Sequence, residues 1–108
     1  MFTPAISVRY AKARVDERRE DVVLLDIRED WELEVARVDP HVHIPMNQLS
    51  QRLAELNPAH EILVFCRTGR RSAEVTDYLI KQGFRNAKNV AGGIHAWADE
   101  FDTHLVKY

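Results

Sequence analysis

Hydrophobic positions follow a helical period in several stretches of the chain. In the first of them Val8, Ala11 and Val15 lie three or four residues apart, with charged residues between them. This spacing is typical of a helix with one buried face. Similar patterns predict helices over 7–19, 47–56, 71–82 and 92–101, and a short helix or turn over 30–35. Gly83 follows the third long helix, where glycine commonly ends one.

Short apolar runs lie between these helices. The segments 22–27 and 61–65 are almost continuously apolar and rich in β-branched residues, which is typical of strands buried on both faces. An alternating run at 41–44 and the pair Asn89-Val90 predict two further strands. Because strands alternate with helices, we expect an α/β fold with a mostly parallel central sheet. We find no internal repeat or linker, so one domain over 1–108 is expected.

Composition and charge exclude several classes of function. The 108 residues carry a net charge of −2, with 15 basic and 17 acidic side chains interspersed. Such a mixture produces no overall field that favours nucleic acid or an anionic membrane. The apolar runs are far too short to span a bilayer, and no secretory signal is visible at the start. A cytoplasmic location is therefore expected.

Most isolated histidines and aromatics are expected to be structural. His41 and His43 share a face of one predicted strand, but no third ligand lies near them in sequence, so we expect surface histidines and no metal site. Trp31 and Trp97 are expected to pack in the core. The segment 106–108 is expected to fray. The remaining histidines, expected at the periphery, are His60, His95 and His104.

The single cysteine lies where a predicted strand ends and a helix follows. Three arginines occur within six residues from Cys66, and Gly69 permits a tight turn. In α/β sheets ligands bind at the carboxyl ends of strands, where loop amides and a helix N-terminus favour anions. These features favour a thiolate over a thiol. The residues thus predict a cysteine-based anion site, whose ligand is a persulfide sulfur, a thiosulfate or sulfonate, or a phosphate.

Three segments together resemble the single-domain rhodaneses. Residues 66–72 (CRTGRRS) resemble the family's Cys-x-x-Gly-x-Arg-Ser loop, and 24–32 (LLDIREDWE) resemble its Leu-x-Asp-x-Arg-x-x-x-Glu segment. Residues 90–97 (VAGGIHAW) resemble its closing Gly-Gly-x-x-x-Trp motif. The likeness extends from about residue 7 to residue 101. It departs at 36–38, where Ala-Arg-Val stands in place of the usual Gly-His-Ile, and at Thr68, where some two-domain rhodaneses have a cation.

The resemblance implies a three-layer rhodanese-like fold and a sulfurtransferase that carries sulfur as a Cys66 persulfide. The amides of 67–71 would hold that sulfur, with Arg67 and Arg71 supporting an anionic donor. A thiosulfate or persulfide donor, small or protein-borne, would load Cys66, and a thiophilic acceptor would unload it. No cofactor or metal is implied. The loop residues assigned to substrate are Arg67, Thr68, Gly69, Arg70 and Arg71, and those assigned to support are Asp26, Arg28 and Ser72.

Two alternatives remain open at this point. A cysteine-dependent phosphatase or arsenate reductase requires an arginine six residues after its cysteine, to bind tetrahedral oxyanions in bidentate fashion. Here that position is Ser72. The other alternative is a rhodanese-like binding or sulfur-relay module without catalysis, since a fold does not fix a function. Inactive members of the family typically lack the cysteine, which this chain keeps.

Overall fold

A computed structural model describes residues 3–108 as a five-stranded sheet with helices on both faces. All strand pairs are parallel, in the order β1-β5-β4-β2-β3. The strands are β1 (Ala5–Ile6), β2 (Val22–Asp26), β3 (Val42–His43), β4 (Glu61–Phe65) and β5 (Ala87–Val90). The helices are α1 (Val8–Asp16), α2 (Asp30–Val35), α3 (Arg70–Lys81) and α4 (Gly93–Phe101). The predicted three-layer α/β architecture is confirmed.

The central strand β4 contributes side chains to two separate cores. Ile62 and Val64 pack on one face of the sheet, where α3 also buries its apolar side chains. Leu63 and Phe65 point to the other face and pack with α1 and α4. Successive side chains of a strand alternate between faces, so a strand covered on both sides is apolar at nearly every position; in β4 the exception is Glu61 at its start. This accounts for the continuous hydrophobic run. The residue that follows the strand, Cys66, lies on the α3 face.

The structure corrects one predicted element and adds a strand that was not predicted. The segment expected as an α-helix over 47–56 forms two 3₁₀ helices, Met46–Gln51 and Leu53–Glu55. Leucines spaced three and four residues apart suit either helix type, and the backbone leaves helical geometry at Arg52 (φ −119°), so no continuous α-helix forms. Strand β1 was not predicted. It pairs with β5 at the edge of the sheet.

Trp31 lies on the surface, contrary to the core position expected for it. Its side chain is 53% exposed, and its indole N–H donates to Glu29. The helix α2 instead buries Glu32, so its contact with the protein interior is polar rather than aromatic. Trp97 is buried as expected and meets Phe65 edge-on, with 5.8 Å between ring centroids.

The histidine pair is held by main-chain carbonyls. The rings of His41 and His43 lie 6.5 Å apart and are half-buried rather than on the surface. His41 Nδ1 lies 2.9 Å from the carbonyl of Val38, and His43 Nε2 lies 2.7 Å from that of Arg28. Over residues 3–108 no group of three or more His, Cys, Asp or Glu is arranged to hold a metal ion. None of the helices in that range is long and apolar enough to cross a membrane.

A buried carboxylate lies at the start of β4, at the end of the strand opposite Cys66. Glu61 is 5% exposed and accepts hydrogen bonds from Tyr10 (2.8 Å), Arg14 (2.7 Å) and Lys88 (2.6 Å). Burial raises the pKa of Glu61, but the bonds from Lys88, Arg14 and Tyr10 outweigh it and hold the pKa below its ordinary value. The network joins α1 to β4 and β5 and takes no part in the site described next.

Candidate active site

The sulfur atom of Cys66 lies at the N-terminus of α3, where amide hydrogens converge on it. Gly69 N–H donates to Sγ at 3.1 Å and Ser72 N–H donates at 3.4 Å. Ser72 is the third residue of α3, so its amide is one of those that a helix leaves without an internal partner. Gly69 precedes the helix and has no side chain to cap it, and Sγ takes that place. Negative charge on the sulfur is therefore stabilised by the amides and the helix dipole.

The turn at Gly69 requires glycine for two reasons. Its φ of +95° lies in the left-handed region, which side chains disfavour. A Cβ atom there would also lie 2.9 Å from the backbone nitrogen of Gly92, closer than packed atoms allow. The loop around Cys66 thus lies directly against the Gly92-Gly93 turn, which explains why the two motifs of the sequence occur together.

The first turn of α4 fixes the backbone of the cysteine loop. Ile94 N–H donates to the carbonyl of Cys66 at 2.9 Å, and His95 N–H donates to that of Arg67 at 3.1 Å. A Cβ atom on Gly93 would lie 2.3 Å from the Cys66 carbonyl oxygen. Only glycine therefore allows the helix to approach the loop this closely. The carbonyls turn toward α4, which leaves the loop amides directed at the sulfur.

Cys66 is more buried than the sequence predicts. The residue is 1% exposed and belongs to the core packed against α3, whereas Arg67, Thr68 and Arg70 on the loop are exposed. A cavity of about 480 Å³ lies beside the loop and has Arg71 among its lining residues. The other residues that line it are Ile27, Glu29, Met46 and Asn47.

The hydroxyl of Ser72 links the sulfur to the sheet. It lies 3.1 Å from Cys66 Sγ and donates to Asn89 Oδ1 at 2.5 Å. A hydroxyl has one proton, so while it donates to Asn89 it can only accept from the thiol S–H. When Cys66 ionises, the same hydroxyl can rotate and donate to the sulfur. Ser72 and Asn89 are both buried, so no bulk solvent replaces this donor.

Ser72→Ala is expected to slow persulfide formation on Cys66 by about tenfold. Hydrogen bonds to charged groups contribute about 1.5–3 kcal/mol, and the two amide donors to Sγ remain in the variant. Single-turnover loading from thiosulfate, measured as Cys66 persulfide against time, tests this. Ser50→Ala, which changes an exposed serine on a 3₁₀ helix, is the matched control. Equal loading rates in the two variants would contradict a role for the Ser72 hydroxyl.

Asp26 and Arg28 form a buried ion pair beneath the site. Arg28 Nε and Nη2 donate to the Asp26 carboxylate at 2.7–3.1 Å, and both side chains are at most 1% exposed. Arg28 Nη1 also donates to the carbonyl of Glu32 at 3.3 Å. Within residues 3–108 neither side chain is hydrogen-bonded to the loop 66–72. Arg28 instead contacts the backbone of Glu32, whose carboxylate binds Arg71 of the loop.

Glu32 binds Arg71 of the cysteine loop. Its two carboxylate oxygens accept from Arg71 Nη1 at 2.7 Å and Nη2 at 2.8 Å, and the residue is 3% exposed. Burial raises the pKa of Glu32, but hydrogen bonds from Arg71, the Glu29 amide and Tyr108 lower it to about 2. The bond to Glu32 raises the pKa of Arg71 above its ordinary value. The Arg71 charge is thus already compensated, whereas Arg67 and Arg70 make no ion pair in the described part of the chain.

Three residues that contact the site were absent from the predicted set. Glu32 stands in the second family-like segment, and that position alone could have identified it. Asn89 follows Lys88 in a strand of mixed polarity, so its sequence signal is weak. Tyr108 gave no signal at all, and the prediction that 106–108 fray is wrong for this residue. Its hydroxyl donates to Glu32 and accepts from Arg28, both at 2.7 Å.

Comparison with known proteins identifies the family. The family model of the Rhodanese-like domain matches residues 7–100. The chain belongs to this family. It is 37% identical over 95 residues to the putative sulfurtransferase YtwF of Bacillus subtilis, covering 88% of this chain and 90% of the relative. The family resemblance of the three segments is therefore confirmed.

One further relative is similar in sequence, and one solved structure is similar in fold. The putative sulfur carrier protein YrkF of B. subtilis is 39% identical over 94 residues, 87% of this chain, and the match spans only half of YrkF. The crystal structure of a rhodanese-like domain protein from Staphylococcus aureus has a TM-score of 0.81 and 32% identity, covering 92% of this chain and 95% of its own. Together with the sulfurtransferase named above, YtwF, they support the predicted class, a rhodanese-type sulfurtransferase.

The loop length disfavours the phosphatase alternative. The sixth residue after Cys66 is Ser72, which is buried and contacts Sγ through both its amide and its hydroxyl. The guanidinium one position earlier belongs to Arg71, whose two terminal nitrogens are occupied by Glu32. Neither residue offers the free bidentate donor that a tetrahedral oxyanion requires. A single sulfur atom suits this shorter loop better.

Proposed function

We propose that this rhodanese transfers a sulfane sulfur from a donor to a thiophilic acceptor through a persulfide on Cys66. The observation that supports it is the convergence of the Gly69 and Ser72 amides on Sγ at the N-terminus of α3. Those donors stabilise a sulfur anion, which is both the attacking species and the form in which a persulfide is held. Residues 1–108 act as one catalytic unit in this proposal, and we infer a cytoplasmic site of action.

Loading begins with the Cys66 thiolate. Sγ attacks the outer sulfur of thiosulfate, an Sγ–S bond forms, and the sulfur–sulfur bond of the donor breaks with its electron pair leaving on sulfite. The product is a Cys66 persulfide with a terminal sulfur anion. With a persulfide donor the same attack releases the donor's thiolate. Electrons balance within each exchange, so no cofactor, metal or external oxidant takes part.

Unloading returns the enzyme to its first state. A nucleophilic acceptor, such as cyanide or a thiolate, attacks the terminal sulfur of the persulfide. The Sγ–S bond breaks, its electron pair returns to Sγ, and thiocyanate or a new persulfide departs. The two half-reactions share one covalent intermediate, so we expect ping-pong kinetics. The amides that hold Sγ stabilise it as the leaving group in this second step.

Arg67 and Arg70 are the proposed contacts for an anionic donor. Both lie on the exposed part of the loop, while Arg71 is bound to Glu32 and serves mainly to position the loop. Thr68, which lies between the two arginines in sequence, offers only a hydroxyl. Two uncompensated cations favour a small divalent anion such as thiosulfate, and they equally accept the anionic persulfide of a protein donor. A protein donor or acceptor is proposed on the same ground.

Incubation with thiosulfate is expected to add the mass of one sulfur atom to the chain. Intact-protein mass spectrometry measures this addition, and peptide mapping should locate it on Cys66, the only cysteine. Cyanide should then remove it with formation of thiocyanate. The addition should be stoichiometric, because a single nucleophile accepts a single sulfur. Reduced protein without thiosulfate is the blank.

The same experiment separates an enzyme from a binding module. If no sulfur is added by thiosulfate or by a cysteine desulfurase charged with cysteine, the chain has no transferase activity and the non-catalytic reading is favoured. A persulfide that forms but resists cyanide and thiols would contradict the unloading step alone. A persulfide that forms and is removed supports both steps.

A further inference from the structure

Tyr108 lies against the active site although it follows the last helix by seven residues. Its phenol is half-buried among residues from three separate parts of the chain. The backbone carbonyl of Tyr108 lies 3.2 Å from His95 Nε2, and the two rings meet edge-on with 6.1 Å between centroids. These contacts fix the side chain next to the segment 92–95, whose amides bind the cysteine loop.

The hydroxyl of Tyr108 completes the environment of Glu32. It donates to Glu32 Oε2 at 2.7 Å and accepts from Arg28 Nη1 at 2.7 Å. Glu32 in turn holds Arg71 of the cysteine loop. Burial raises the pKa of Tyr108 to about 12, so the hydroxyl keeps its proton and remains a donor at neutral pH. The phenol therefore links the buried Asp26–Arg28 pair to the loop arginine through one carboxylate.

The ring of Tyr108 contacts the other loop arginine directly. The Arg67 guanidinium lies over its face, 5.5 Å from the ring centroid. Trp31, which is exposed, also packs against the ring in a T-shaped arrangement, with 5.7 Å between ring centroids. A guanidinium over an aromatic face is held by cation–π attraction. Arg67 has no carboxylate partner within residues 3–108, so this ring is what restricts the orientation of its charge.

We propose that Tyr108 is a positioning residue for the sulfur donor site, holding Arg67 by its ring and Arg71 through Glu32. The inference rests on the proposed function and adds to it the group that sets affinity for an anionic donor. An arginine that is already oriented loses less conformational freedom when an anion binds, so affinity rises. The same contact keeps the exposed guanidinium of Arg67 beside the loop.

Tyr108→Leu and Tyr108→Phe separate the two contacts. Phenylalanine keeps the ring under Arg67 and loses the hydroxyl, whereas leucine loses both. We measure the rate of Cys66 persulfide formation against thiosulfate concentration in single turnovers. Leucine is expected to raise the half-saturating concentration about tenfold, within the range of a cation–π contact and one hydrogen bond. Phenylalanine should raise it less, and the saturating rate should change little in either variant.

Tyr10→Phe is the matched control. That tyrosine also donates its hydroxyl to a buried carboxylate, Glu61 at 2.8 Å, but at the opposite end of β4. It therefore reports the effect of losing such a bond on stability alone. A half-saturating concentration in Tyr108→Leu equal to that of wild type overturns the proposal. A rise of the half-saturating concentration in Tyr10→Phe equal to that in Tyr108→Leu also overturns the proposal.

A second measurement keeps the test independent of sulfur transfer. Cys66 is alkylated with iodoacetate, which is an anion, and with iodoacetamide, which is neutral and of similar size. The ratio of the iodoacetate rate to the iodoacetamide rate reports the positive charge near Sγ and requires no turnover. It should fall in Tyr108→Leu and stay constant in Tyr10→Phe, even if the protein fails to react with thiosulfate. An unchanged ratio in Tyr108→Leu contradicts the positioning role, whereas failure of wild type to load sulfur contradicts only the proposed function.

Discussion

Cys66→Ser is expected to abolish sulfur transfer both from thiosulfate and from a cysteine desulfurase. The chain has one cysteine, so no second sulfur can accept the load. A serine hydroxyl is not ionised near neutral pH and forms no stable bond of this kind to a sulfane sulfur. Loss of a covalent nucleophile typically costs at least about a thousandfold in rate. Thiocyanate production and the mass of the persulfide form both measure sulfur transfer, and they apply to either donor.

The Cys66→Ser variant is also expected to keep the native fold. The serine oxygen meets the same donors, the amides of Gly69 and Ser72, so the buried hydroxyl is not left without partners. Urea unfolding of variant and wild type should therefore give similarly cooperative transitions. Residual transfer from either donor in a cooperatively folded variant would contradict the role of Cys66. Transfer lost from thiosulfate alone would point to a second route for protein-borne sulfur.

The sequence predicts the central part of the fold because that part depends on local patterns. The runs at β2 and β4 are apolar at nearly every position, since both faces of the sheet are covered. The anion site at 66–72 was also predicted, because its glycine and arginines are neighbours of Cys66 along the chain. The burial of Cys66 was not predicted, because it depends on how closely α3 and the Gly92-Gly93 turn pack around the loop.

The contacts missed by the sequence join residues that are far apart in the chain. Glu32 and Arg71 are separated by 39 positions, and Tyr108 and Glu32 by 76. No periodicity or spacing encodes such pairs. The Trp31 error has the same origin, because α2 buries the hydrogen-bonded carboxylate of Glu32 and not its aromatic side chain. Polar contacts between residues distant in the chain are thus what sequence patterns describe least well.

Arg28→Met is expected to destabilise the fold by about 3–5 kcal/mol, the range for removing one partner of a buried ion pair. Arg28 is fully buried, and methionine keeps much of its volume while removing the three donors that bind Asp26 and Tyr108. The Asp26 carboxylate would keep only the Arg28 amide, at 3.0 Å. Urea unfolding measures the change, with Arg52→Met as the control, because the Arg52–Glu55 pair lies at the surface.

A double variant distinguishes a lost ion pair from lost packing. Asp26→Asn added to Arg28→Met removes the uncompensated charge and leaves the methionine in place. If the cost of Arg28→Met comes from burying the bare carboxylate, the double variant should regain much of the lost free energy of unfolding. A double variant as unstable as the single one would assign the cost to packing. Sulfur transfer should not recover with stability, because Tyr108 and Glu32 still lack the arginine that joins them to Asp26.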